Sequence, residues 1–587
     1  MFNRRSTLAL AMLMLPAALL VPASALAQGA PTREELRPDE RLPEPAARPG
    51  RLTVDGDMER AACPLDDPRY AAVTMNFADV RFNGLSVLDP AALRDSWTNE
   101  AGRDVPVATV CTIRDRAATA LRAMGYLAAV QVPPQRIDKG GTIVLDVLMA
   151  KLVAIEVRGD AGNGERLVAA HLEALKAQPV FNVHAAERHL LLARDLPGYD
   201  VRLSLRPAGT APGEVVGTVQ VTRQQVQLDV NIQNWGSRAV GRFGGLARLQ
   251  LNDLTGMGDA TTLAIFNTFD TREQTVLQAG HSFAIGASGL RASGDFTYAW
   301  SRPDVLGGGL KSETMIVTAA LSYPLVRRQA SNVVLSGGFD LIDQDVEALG
   351  APLSRDRLRV LFARAEADLI DSASLTSTIG YSAFEPRWRL GGHIEVRQGI
   401  SGLGASERCG PAPTFAGCLP PATPTSRIGG DPSAFVLRAG AAAEFRPIPN
   451  ITFSLSPRLQ YSPSALLTYE EVSAGNYTAG RGYDPGTLTG DSGAGYSFEL
   501  RYGSLMPRSI NDVALQPFAF FDAMWIWNED GPDNRLYSTG GGLRAQWGAH
   551  GRIDLTAATP LRRVAGYDRG DWRVLLSITA QLFPWNR

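Results

Sequence analysis

Past its first thirty residues the 587-residue chain contains no uncharged apolar run as long as the roughly 18 residues a membrane-crossing helix requires. A helical membrane protein is thereby excluded. A membrane β-barrel is not, because its strands alternate in polarity and never look hydrophobic on average. Neither sign of charge is in excess: 58 Lys and Arg stand against 60 Asp and Glu, a net charge of −2. Without a basic surplus, no nucleic-acid partner is expected. Cysteine is scarce at four residues, and P-loop, HExxH and nucleophile-elbow patterns are missing, so neither an enzyme activity nor a cofactor or metal has a footing.

The chain opens with an export signal. Arg4 and Arg5 precede an apolar stretch from Leu8 to Val21, and Ala25-Leu26-Ala27 supplies a small-x-small cleavage pattern, so residues 1–27 are expected to be removed. A membrane anchor fits less well, since the stretch is short and Pro16 and Pro22 interrupt it. Disulfides persist outside the cytoplasm. Cys63 and Cys111 lie in one region and Cys409 and Cys418 in another, which makes Cys63–Cys111 and Cys409–Cys418 the economical pairing, although four cysteines allow three. The spacings match no zinc pattern.

Three regions follow the signal. Residues 28–70 are rich in Pro, Arg and Glu and read as a linker; Thr32–Arg37 has weak helical character that Pro38 stops. Residues 71–149 and 150–222 carry a β-α-α-β-β pattern twice, which suits two small α+β domains. In the first, Asp89-Pro90 starts a helix, Val110, Ile113, Ala117, Leu121 and Met124 form one apolar face of a second, and Gly125 closes it. In the second, helices are expected at Glu165–Lys176 and Ala185–Leu196, and strands at Leu152–Val157, Val201–Leu205 and Val215–Val221. From 223 to 587 the helical period disappears. Val226, Leu228, Val230 and Ile232 alternate with Gln225, Gln227, Asp229 and Asn231, one apolar and one wet face. Sixteen such segments start near 225, 242, 259, 274, 289, 312, 331, 355, 385, 433, 450, 492, 513, 537, 551 and 571. An even number of strands of about ten residues is what an antiparallel transmembrane β-barrel requires. A large soluble sandwich is the competing fold, opposed by the aromatic strand ends such as Trp525 and Trp527.

The order of signal, two α+β repeats and sixteen strands resembles the outer-membrane transporters of two-partner secretion, the haemolysin secretion/activation proteins, in the superfamily that includes BamA-like insertases. The repeats would then be periplasmic POTRA domains. Gly125-Tyr126 with Val132-Pro133-Pro134-Gln135, Arg194-Asp195-Leu196-Pro197-Gly198, Asn234-Trp235-Gly236-Ser237, Tyr323-Pro324-Leu325 and Arg397-Gln398-Gly399-Ile400 are similar to family blocks. The most specific block runs Gly480-Arg481-Gly482-Tyr483, Gly490-Asp491-Ser492-Gly493 and Glu499-Leu500, with Gly480 where the family has Val. Phe520-Phe521-Asp522-Ala523-Met524 resembles the superfamily's FxDxG strand motif, with Met524 in place of its Gly.

The resemblance implies that the loop before the twelfth strand folds back into the pore and that Arg481 meets Asp522 there. Arg suits that task, because its planar fork matches a carboxylate at two points. Gly482 and Gly490 would permit backbone turns, Tyr483 would pack its ring while its hydroxyl finds a partner, and Asp491, Gly493 and Phe520 complete the expected pore-loop lock. Separate charges lining a wet lumen are the plainer alternative. Gly490-Asp491-Ser492-Gly493 also matches a serine-protease nucleophile signature, but His171, its nearest histidine motif, lies in another domain and in a helix-period segment. The resemblance implies a monomer in outer-membrane lipid that exports a partner exoprotein, captured unfolded by the POTRA pair, through a porin-like channel. Cargo recognition is expected by strand addition at Val215–Val221 beside the helix Ala185–Leu196. The resemblance admits a helix plugging the pore, for which the weak Thr32–Arg37 stretch is the only candidate, so residues 28–70 are a linker or a plug segment. An insertase of the BamA kind, or a plain porin, is the alternative.

Overall fold

A computed structural model describes residues 31–37, 63–304, 309–410, 418, 422–529, 531–564 and 567–585. The export signal and most of the linker lie outside the described residues. In the first α+β unit, β1 (Thr74–Asn83) leads into a 3-10 helix (Pro90–Ser96), whose first turn Asp89 caps by accepting from Ala91 N. Short β2 (Asp104–Pro106), α1 (Thr109–Ala123), β3 (Ala128–Gln131) and β4 (Gly141–Met149) complete a sheet of order β2-β1-β4-β3. Val110, Ile113, Ala117 and Leu121 of α1 are buried with Phe77, Ile143 and Leu145 of the sheet. Met124 ends the helix and packs at the margin of that core. Cys63 is bonded to Cys111 on α1, with Cα atoms 5.9 Å apart.

The second unit runs β5 (Lys151–Gly159), α2 (Glu165–Lys176), α3 (Val183–Arg194), β6 (Tyr199–Pro207) and β7 (Glu214–Arg223). Its sheet order is β5-β7-β6, and this corrects the docking edge expected at Val215–Val221. The last strand enters between the other two, parallel to β5 and antiparallel to β6, so its ladder is used on both sides. The unpaired edges of this sheet belong to β5 and β6. Helix α3 is likewise partly occupied, because it sits on the turn that follows the sixth barrel strand. Arg188 donates to Pro324 O at 2.9 Å, Glu187 accepts from Gln329 N at 2.7 Å, and Asp195, just past the helix, takes both prongs of Arg327 at 2.6 Å. A second tie forms where Asp253, 1% exposed and held at φ 56°, accepts from Tyr199 Oη (2.6 Å) and Gly164 N (3.1 Å).

The barrel wall comprises β8 (Val226–Gln233), β9 (Gly244–Asn252), β10 (Ala260–Thr268), β11 (Gln274–Ala284), β12 (Arg291–Ser301), β13 (Leu310–Arg327), β14 (Ser331–Ala348), β15 (Ala351–Ile370), β16 (Trp388–Gly399), β17 (Phe435–Ile448) and β18 (Ile451–Tyr461). Short β19 (Val472–Ala474) and β20 (Leu488–Gly490) pair only with each other, inside. The wall resumes with β21 (Ser492–Tyr502), β22 (Val513–Trp527), β23 (Asn534–Trp547), β24 (Gly551–Pro560) and β25 (Arg573–Phe583), which closes on β8. All sixteen wall strands are antiparallel neighbours in sequence order, and each begins within four residues of its expected start. Polarity alternation sets the two faces: in β10 Ala264, Phe266 and Thr268 are buried towards the lumen, while Leu263 and Ile265 are exposed outward. Exposed aromatics ring both rims, Trp388, Phe453, Tyr502 and Trp547 at the end that carries the α+β units, and Trp300, Tyr461, Trp527 and Trp572 at the other.

Candidate functional site

The connection from β18 to β21 spans residues 462–491 and turns inward as the β19–β20 hairpin. Its tip carries Arg481, which reaches across the lumen side of the wall. Arg481 Nη2 and Nε donate to the two oxygens of Asp522 on β22 at 2.7 and 3.0 Å, and Arg481 N donates to the same carboxylate at 2.9 Å. The third nitrogen, Nη1, donates to Glu499 on β21 at 2.6 Å. Phe520 lies flat beneath, its ring centroid 3.6 Å from the Arg481 guanidinium carbon, which adds a cation–π contact. Asp522 is wholly buried and also accepts from Ser538 Oγ. Glu499 is shared further with Arg544 and Arg501, so the site is an alternating ladder of charges in which no buried member lacks an opposite neighbour.

The residues around Arg481 explain why the loop reaches this position. A Cβ on Gly482 would lie 2.8 Å from backbone atoms of Thr559 and Pro560, so only glycine lets the tip approach the wall this closely. Tyr483 is fully buried; its hydroxyl donates to Arg562 O at 2.6 Å, and its ring meets Tyr567 edge-on at 5.6 Å. Met524 faces Gly495 across the ladder, and a Cβ on Gly495 would collide with the Met524 sulfur. The small residue that the strand motif leads one to seek on β22 thus stands on the neighbouring β21.

Three of the expected residues sit apart from Arg481. Asp491, fully buried, accepts from Leu466 N (2.7 Å) and Glu529 N (2.9 Å) and pairs with Arg427, so it knots three connections at the far rim. Gly490 faces Ile526 and Asn528, and Gly493 touches Trp525 O and Val472. They hold the base of the hairpin. Cys409 and Cys418, bonded with Cα atoms 5.8 Å apart, lie in the same rim region as Arg427.

Sequence reasoning missed a second charge cluster. Arg397 on β16 donates to Asp340 on β14 (2.8 Å) and to Glu470 of the inner loop (2.9 Å), and Arg438 on β17 also holds Glu470. Arg397 belongs to a recognised block, but nothing near Glu470 marks it as a lumen carboxylate. Sequence reasoning also gave Thr32–Arg37, the one plug candidate, weak helical character. The segment is a turn, not a helix, and it lies in the lumen. Glu35 closes it by accepting from Thr32 N at 2.9 Å, and Glu34 accepts from Ser473 Oγ on β19 at 2.7 Å. Leu36, fully buried, joins the inner-wall cluster of Phe266, Val276, Ile316 and Leu467. Six residues suffice, because burial and side-chain closure replace a helical repeat.

Comparison with known proteins agrees with this construction. In structure the chain is similar to CdiB from Escherichia coli, with a TM-score of 0.65 at 17% identity covering 95% of this chain and 98% of that one. CdiB from Acinetobacter baumannii gives 0.60 at 16% identity, with coverage of 95% and 99%. BamA from Haemophilus ducreyi lacking POTRA domains 1–3 gives 0.51 at 12% identity, with coverage of 86% and 100%. These likenesses establish the fold, POTRA-like α+β units followed by a sixteen-stranded β-barrel. In sequence the chain is 24% identical over 173 residues to the heme/hemopexin transporter protein HuxB of Haemophilus influenzae (strain 86-028NP), 29% of this chain and 30% of that one. The match to that curated relative thus spans less than a third of its length. Residues 214–545 match the family of haemolysin secretion/activation proteins ShlB/FhaC/HecB, more than half of the chain, and the protein belongs to that family.

Proposed function

We propose that the protein exports a partner exoprotein across the bacterial outer membrane, with the POTRA pair receiving the unfolded chain in the periplasm and the barrel passing it outward. Membership of a secretion/activation family over residues 214–545 carries this reading. The inner loop serves as a lock: while Arg481 bridges Asp522 and Glu499 the hairpin occupies the lumen beside the Thr32–Leu36 turn, and both withdraw for passage. Cargo adds as a strand at the open edge of β5 or β6, where backbone hydrogen bonds give affinity without strict sequence demands. Folding of the cargo outside supplies the driving force, since no nucleotide is present there.

The experiment compares proteins released to the medium by cells carrying the wild type or Arg481→Ala at equal membrane levels. Loss of the exoprotein from the medium with the barrel still inserted is expected; wild-type release would remove the lock. A BamA-like assembly role is the second reading, supported by the shared fold. Depletion would then leave unfolded barrels in the periplasm rather than retained exoprotein.

A further inference from the structure

The tip of the inner loop reaches a second set of charges at the seam where β25 closes on β8. Asp484, 7% exposed, accepts from Arg238 N at 3.0 Å in the β8–β9 connection. Its Oδ1 lies 2.7 Å from Nη2 of Arg573 on β25 and 3.8 Å from Nη2 of Arg242. The Arg238 guanidinium is over the ring of Tyr567 at 5.4 Å. Two guanidinium groups, of Arg573 and Arg242, therefore converge on one carboxylate that also holds the Arg238 backbone. Among the described residues, Asp484 alone brings a carboxylate within 4.0 Å of any of them.

Arg573 is 4% exposed; its Nη2 is paired with Asp484, while Nε and Nη1 have no hydrogen-bond partner. Buried guanidinium donors normally find acceptors, because leaving them unmet forfeits their hydration. The ladder around Arg481 meets that rule and this cluster does not. It also carries two positive charges beyond what Asp484 neutralises. Arg573 alternates with outward-facing Val574, so it points into the lumen at the outer rim, with half-open Arg242 and exposed Arg238 on the side of the aqueous mouth.

We propose that Arg238, Arg242 and Arg573 form a binding site for a multiply charged oxyanion of the phosphate class, presented either by a lipid headgroup of the outer leaflet or by solvent. Planar guanidinium forks match phosphate oxygens at two points each, and Nε and Nη1 of Arg573 are the donors such a ligand would satisfy. The ligand would tie the inner-loop tip to both closing strands through Asp484's neighbours, and so favour the loop-in state.

The test uses the full chain in detergent, free of phosphate, with thermal unfolding followed at constant ionic strength. Inorganic pyrophosphate, phosphorylated lipopolysaccharide and its dephosphorylated form are the probes. Saturable stabilisation by pyrophosphate or by the phosphorylated lipid, absent with chloride and weakened about tenfold or more in Arg238→Gln/Arg242→Gln, is expected. Protection by pyrophosphate alone assigns the anion to solvent, and protection by the phosphorylated over the dephosphorylated lipid assigns it to the membrane. No protection beyond chloride, or undiminished binding by the double variant, overturns the site. Arg238→Gln alone, on an exposed side chain, repeats the comparison should the double variant fail to insert.

Discussion

Arg481 contacts carboxylates on two adjacent strands with one guanidinium, and this sets what can replace it. Arg481→Lys keeps the charge but offers a single ammonium, which cannot satisfy Asp522 and Glu499 together. Releasing one buried carboxylate costs about 3–5 kcal/mol, so the hairpin of the Lys variant should become open to added protease while the barrel stays intact. In the second POTRA unit His171 is 2% exposed, its Nδ1 has no partner, and burial pushes its imidazole down to about 4. The unfolded chain takes up a proton near pH 6.5 and the folded one does not. Stability is therefore full above that pH and declines as pH falls from 6.5 towards 4, by up to about 3 kcal/mol. Denaturant melts should show this slope, and His171→Leu should flatten it. At this scale the sequence was legible where a residue sat in a spaced block, as with Arg481 and Asp522. Glu499 stood in the same block without an assigned partner, and Glu470 lies in the inner loop, where nothing in the local sequence marks a lumen carboxylate.

Strands and helices were read with small errors because hydrophobic period and turn residues act locally. The α2 helix has the bounds its period suggests, and the wall strands shift by at most a few residues. Pairing order is not local, so an edge expected at β7 gives way to a strand that lies between β5 and β6. The Thr32–Leu36 turn escaped for a related reason. Its stability comes from the inner wall, Ser473 and Leu467 among others, and none of that is visible in so short a stretch of sequence. The turn and the hairpin share the lumen, which leads to a direct expectation. Deleting residues 31–37 should raise single-channel conductance in planar bilayers several-fold over the wild type, and an unchanged conductance would show that the turn does not obstruct the pore.

For the whole molecule, the second of the two periplasmic units rests on the barrel through Asp195 with Arg327 and through Tyr199 with Asp253. These ties hold the second unit against the turns beneath the pore, the place from which a polypeptide would enter. Removing residues 73–221 should leave a folded barrel, scored by its heat-dependent shift in electrophoretic mobility, that releases no exoprotein. The most direct measurement of export through the lumen places a photo-crosslinking residue at neighbouring wall positions while a cargo is stalled by a stably folded fusion. Ile316 is buried towards the lumen and Val317 is exposed outward on the same strand. Adducts with cargo at 316 and none at 317 are the predicted result; adducts at 317 alone, or at neither position while export proceeds, would contradict passage through the barrel.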